Sequence, residues 1–123
     1  MSHRIVIADD EPNLLIPLEY MLKREGFEVT VARDGQEALE AIARVRPQLV
    51  LLDVMMPRKS GLDVCQVLRA DEANLDIRIV LLTAKGRDDD VAKGLALGAD
   101  AYVTKPFSPK ELVLKVRELL GAA

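Results

Sequence analysis

At 123 residues, half of them apolar, the chain can bury one good core and not two, so a single domain over residues 1–123 is expected. Its 20 acidic and 17 basic residues are spread without a block of either sign and leave a net charge of −3. That balance gives no electrostatic footprint for nucleic acid and argues against DNA binding by this chain itself. A lone cysteine cannot close an internal disulfide, and Cys65 among Leu62, Val64 and Leu68 reads as a small buried hydrophobe. No stretch approaches the roughly 20 apolar residues of a membrane span, and Met1-Ser2-His3-Arg4 lacks the apolar core of a leader peptide, so a cytoplasmic location is expected.

Short apolar runs alternate with longer amphipathic ones. Ile5–Ala8 is the first run, and Leu14, Leu15, Leu18, Met21 and Leu22 follow it at helical spacing until Gly26. Val29–Ala32 is the second. Asp34-Gly35-Gln36-Glu37 then sets a cap with a glutamate three residues on, and Leu39, Ile42 and Val45 form a helical stripe that Pro47 ends. Leu49–Leu52 is the third run, Ile79–Leu82 the fourth, with a helix before Gly98, and Ala101–Thr104 the fifth. Ser108-Pro109-Lys110-Glu111 reads as a capping box with proline at the first helical position, opening a stripe of Leu112, Val113, Val116, Leu119 and Leu120. The ending Leu119-Leu120-Gly121-Ala122-Ala123 reads as a helix terminus and suits a natural end and a cut equally.

Five strand–helix repeats specify a doubly wound α/β fold, a parallel sheet with helices on both faces. Ligands of such sheets bind outside the carboxyl ends of the strands, at the switch in strand order, and the expected order is 2-1-3-4-5. The strand ends therefore carry the information. The first ends in Asp9, Asp10 and Glu11, the third in Asp53, the fourth in Thr83 and the fifth in Lys105. Carboxylates gathered in one shallow pocket repel one another and need raised pKa values or a cation. A hard divalent ion such as Mg²⁺, which takes one or two carboxylates plus phosphate oxygens, fits the set. Lys105 can pair with Asp53 in the empty site and with a phosphoryl oxygen in the filled one, while the Thr83 hydroxyl offers a further hydrogen bond.

These residues resemble the receiver-domain family of two-component response regulators. The resemblance rests on Asp9-Asp10, on Asp53-Val54-Met55-Met56-Pro57-Arg58-Lys59-Ser60-Gly61 as the family's Asp-x-x-x-Pro-x-x-x-Gly, on Thr83-Ala84, and on Lys105-Pro106-Phe107. They stand in family order at family-like intervals over essentially the whole chain. The resemblance implies a flavodoxin-like receiver fold in which Asp53 takes a phosphoryl group from a sensor histidine kinase or phosphotransfer protein. It implies that Asp10, Asp53 and the backbone carbonyl of Met55 ligate Mg²⁺ with help from Asp9, and that the Lys105-Pro106 bond is cis. Tyr102 falls where the family has its switch aromatic, and Met55 and Lys85 where it tunes the lifetime of the phosphorylated state. The chain is thus expected to be a signalling switch that catalyses only its own phosphorylation and dephosphorylation.

Two other chemistries fit less well. A flavin-binding relative of the fold needs a phosphate-cradling loop after the first strand, where Asp9-Asp10-Glu11-Pro12 would repel phosphate. An aspartyl-nucleophile phosphohydrolase wants an acid two residues after the nucleophile, where Met55 stands. For output, Val91, Ala96 and Ala101 replace charges through which receivers attached to winged-helix domains typically pair. Val91, Ala101 and Tyr102 resemble instead the apolar docking face of stand-alone chemotaxis-type receivers, which implies a monomer before phosphorylation and a protein effector after it. Val91 can alternatively extend a buried stripe with Ala92 and Leu95.

Overall fold

The structure is a computed structural model that describes residues 3–121, so the leader and terminus readings at Met1-Ser2 and Ala122-Ala123 lie outside the described residues. Strands β1 (Arg4–Ala8), β2 (Glu28–Ala32), β3 (Leu49–Asp53), β4 (Arg78–Ala84) and β5 (Ala101–Lys105) form one parallel sheet in the order β2-β1-β3-β4-β5, as expected. The helices between and after them are α1 (Pro12–Arg24), α2 (Gly35–Val45), α3 (Gly61–Arg69), α4 (Asp88–Ala96) and α5 (Pro109–Leu120), with a short 3₁₀ turn at Glu72–Asn74. Among the described residues, no helix is long and apolar enough to cross a membrane.

Side-chain alternation along the strands splits the core into two layers. Ile5 and Ile7 of β1, Leu49 and Leu51 of β3, and Val80 and Leu82 of β4 pack on Leu15, Leu18 and Leu22 of α1 and Leu112, Val113 and Val116 of α5. On the other face Val6, Ala8, Val50, Leu52, Ile79 and Leu81 meet Ala38, Ala41 and Ile42 of α2 and Val64, Cys65 and Leu68 of α3. The central strands are buried on both faces, which is why their sequences are continuous apolar runs.

The helix starts follow the sequence with additions. Asp34 caps α2 through the Glu37 N–H at 2.8 Å, and Ser108 accepts the Glu111 N–H at 3.5 Å. The reciprocal box belongs to α3, where Ser60 and Asp63 cap each other's backbone. Pro12 opens α1, and Pro17 sits inside it without breaking it. Gly26 and Gly98 take φ of +93° and +110°, as helix-ending glycines do.

Helix α4 corrects one expectation. Gly94 is its buried residue and Val91 and Leu97 are half-buried, while Ala92 and Leu95 are exposed, so Val91 neither extends a buried stripe with those two nor stands open as part of a docking face. The reason is steric: α4 lies so close to the sheet that a Cβ on Gly94 would collide with Leu81, so the position without a side chain is the one set against the sheet.

Candidate functional site

The carboxyl ends of β1 and β3 flank the switch in strand order, and the same alternation that builds the α1/α5 layer carries Asp9, Asp53 and Lys105 to one side of the sheet. Asp9 is fully buried, and its Oδ1 accepts the Glu11 N–H at 2.9 Å. Its Oδ2 has no well-directed hydrogen bond among the described residues and lies 2.9 Å from the Lys105 ammonium. Asp53 is 4 % exposed; its Oδ1 accepts the Met55 N–H at 3.2 Å and its Oδ2 lies 3.3 Å from Lys105 Nζ. Glu11, on the surface, places Oε1 3.3 Å from the same ammonium, a contact the sequence reading did not foresee.

One lysine thus serves three carboxylates, and Asp10 joins them: ligand oxygens of Asp9, Asp10, Glu11 and Asp53 lie within 4.8 Å of one another. The electrostatic consequence falls on Asp53, whose pKa rises from 3.8 to about 6 because burial penalises its charge and Asp9 repels it, with Lys105 and the Met55 N–H offsetting only part. Burial works against the Lys105 ammonium too, but its contacts with Asp9 and Asp53 outweigh this and hold its pKa above the usual lysine value. A cluster of hard oxygens with an excess of negative charge and a buried oxygen lacking a directed donor suits a small divalent cation.

Thr83 is buried within β4 and not after it, with its hydroxyl directed to the Ala84 carbonyl at 3.4 Å. By alternation it stands on the α3/α4 side with Leu81, whose register partner is Tyr102. Tyr102 is 46 % exposed. Met55 and Lys85 are exposed, and the Lys105-Pro106 bond is cis. The site residues expected from sequence therefore fall into two groups, a charged cluster of Asp9, Asp10, Asp53 and Lys105 and a Thr83/Tyr102 pair on the other side of β4 and β5.

A parallel five-stranded sheet with an acidic cluster and a lysine at its switch point defines the class of phosphoryl-accepting signalling domains. The comparisons with known proteins agree: the response regulator receiver domain model matches residues 5–117, and the chain belongs to that family. It is 52 % identical over 120 residues to the DNA-binding response regulator MtrA of Mycolicibacterium smegmatis, covering 98 % of this chain and 51 % of that protein. The chain spans about half the length of the curated relatives it matches. Among solved structures, a putative response regulator from Chloroflexus aurantiacus superposes with a TM-score of 0.92 at 34 % identity, over 98 % of this chain and 99 % of that one. The receiver domain of a sensor histidine kinase from Pseudomonas aeruginosa, with a magnesium ion coordinated in its active-site cleft, gives a TM-score of 0.88 at 29 % identity, over 99 % of this chain and all of that one. The general function of the family is to accept a phosphoryl group on an aspartate from a histidine kinase, and its members bind Mg²⁺ at an acidic cluster.

Proposed function

We propose that Asp53 is the aspartate that takes the phosphoryl group. The observation that carries this reading is its environment: a buried carboxylate at the switch point, facing a lysine 3.3 Å away and raised in pKa by burial and by Asp9. An Asp53 oxygen attacks phosphorus as the bond from phosphorus to the donor imidazole breaks. Lys105 moves its charge from the carboxylates to the transferring group. Asp9, Asp10, Asp53 and the Met55 carbonyl would hold Mg²⁺, which when bound supplies positive charge against the phosphoryl oxygens and the carboxylates together. The same pocket admits water to the labile acyl phosphate, so the chain limits its own signal and acts on no outside substrate.

Phosphorylation adds close to two negative charges and new acceptor oxygens beside β4. The Thr83 hydroxyl turns from the Ala84 carbonyl toward them, and Tyr102 moves inward beside Leu81. The switched surface is that of α4, β5 and α5, where Tyr102 and Leu95 are exposed. The unphosphorylated chain is a monomer that receives the group from a sensor kinase or phosphotransfer protein and passes the signal to a protein effector. A second reading draws on the relatives: they are DNA-binding regulators about twice as long, so the same face would pair two copies of a protein whose DNA-binding part lies outside this chain.

Mass spectrometry after incubation with a small phosphodonor and Mg²⁺ tests the acceptor: one labile adduct is expected on the wild type and none on Asp53→Asn. Equal labelling of the variant sinks the assignment. Sedimentation of the phosphorylated chain separates the outputs, a monomer favouring the effector reading and a tight symmetric dimer the second.

A further inference from the structure

The acceptor strand passes into α3 through residues 54–60, and this loop is anchored at both ends. At the near end the Gly61 N–H donates to the Val54 carbonyl at 3.2 Å, and Gly61 lies so close to the Asp53 carbonyl group that no Cβ would fit. At the far end the loop reaches another part of the fold. Arg58 Nε and Nη2 donate to Asp34 Oδ2 at 3.0 and 2.6 Å, and Gly35, the first residue of α2, touches the Lys59 carbonyl with no room for a side chain.

Asp34 is a fixed post. Its side chain is 9 % exposed, and its other oxygen is committed to the Glu37 N–H at 2.8 Å. Arg58 has φ of +66°, a left-handed conformation that disfavours residues with a Cβ, so it persists only where its surroundings hold it. The arginine is 63 % exposed, and an ion pair of that kind adds little to global stability. What the paired contacts do supply is geometry, because a guanidinium donating through two nitrogens fixes direction as well as distance. Between the two anchors lies Met55, whose N–H donates to Asp53 Oδ1.

We propose that Asp34 and Arg58 are positioning residues for phosphoryl transfer: their ion pair fixes the far end of the 54–60 loop and so holds the Met55 backbone against the Asp53 carboxylate. Neither residue touches the reacting atoms. The inference rests on Asp53 being the acceptor.

The test uses Arg58→Ala, Arg58→Lys and Asp34→Ser in the full chain, the serine keeping an oxygen for the Glu37 N–H. Amide hydrogen exchange without metal is expected to speed up about tenfold at Met55 and Lys59 in Arg58→Ala and Asp34→Ser, while the helices keep their protection. The Mg²⁺ concentration for half-maximal labelling by a small phosphodonor is expected to rise roughly tenfold. Arg58→Lys, with one point contact, restores part of both. Unchanged exchange at Met55 and an unchanged Mg²⁺ midpoint, with only a lower melting temperature, would show a merely structural tie and overturn the proposal. Absence of label on wild-type Asp53 overturns the acceptor reading instead and removes the role in transfer, while the exchange data still judge whether the pair holds the loop.

Discussion

The two ends of the strands handle charge in opposite ways. At the edge where the strands begin, Arg69 donates to the carbonyls of Gly98, Asn74 and Ile77 at 3.0, 2.9 and 2.8 Å and pairs with Asp100 at 3.1 Å. Asp100 also accepts the Ile79 N–H at 2.8 Å, and Arg4 binds the carbonyls of Val45 and Arg46 at 2.9 and 2.8 Å. Arg4, Arg69 and Asp100 are each met by several partners. At the carboxyl edge, carboxylates outnumber the single ammonium that faces them, and a buried oxygen of Asp9 lacks a directed donor. The first arrangement holds the fold together. The second is a local conflict of the kind that a bound cation or a phosphoryl group would relieve, which sets it apart from a structural network built of the same residue types.

Asp53→Asn breaks the functional edge most completely. An amide is not a competent nucleophile, so labelling by a phosphodonor should fall by at least about a hundredfold while the fold persists. Arg69→Leu is the matching break at the other edge. It leaves three carbonyls without their donor and takes one of the partners of Asp100, which keeps the Ile79 N–H, and denaturant unfolding should report a loss of about 2 kcal/mol with labelling little changed. Were Arg69→Leu to cost no stability but abolish labelling, the division between the edges would be wrong.

The sequence makes the functional edge far more legible than the structural one. Asp53 announces itself by following an apolar run, because a carboxylate there has no local partner to explain it, whereas Lys105 and Thr83 gain meaning only from their joint placement with it at the strand ends. The strands are one to three residues longer than their apolar runs, and β4 takes in Arg78, Thr83 and Ala84, since a ladder hydrogen bond does not require an apolar side chain. Arg69 gives no such signal: its partners lie up to 31 residues away and are mostly backbone carbonyls, which any sequence offers. The Arg58–Asp34 tie is hidden for the same reason, and the buried position of α4 because a glycine carries no hydropathy to mark it.

The titration of Asp53 sharpens the contrast. Its folded pKa, about 6, lies above its unfolded value near 3.8, so its contribution to stability is present below pH 3.8 and is lost as pH rises through 6. Metal-free protein should therefore lose roughly 1–3 kcal/mol across that window, a slope that Asp53→Asn flattens in unfolding experiments at several pH values. Asp34 has the opposite sign. The Glu37 N–H and Arg58 hold its pKa below the usual carboxylate value, so its contribution is present above that value and fades as pH falls through the lowered one. The two effects occupy adjacent windows and can be separated with Asp53→Asn as background.

Mg²⁺ should then erase part of the difference between the edges. A cation bound among Asp9, Asp10 and Asp53 favours their charged forms, so it binds the folded chain better than the unfolded one, in which these residues are scattered. At about ten times its dissociation constant it should add roughly 1.4 kcal/mol to stability, seen as a rise in melting temperature that is larger at pH 7 than at pH 5, where protons compete for Asp53. Asp10→Ala should shrink the rise without shifting the metal-free pH slope, because Asp10 is exposed and is not among the groups that raise the Asp53 pKa. Asp53→Asn should shrink the rise and abolish the slope together. A melting temperature that ignores millimolar Mg²⁺ at both pH values would mean that Lys105 alone balances the carboxylates, and the acidic cluster would then be a feature of the empty fold and not a metal site.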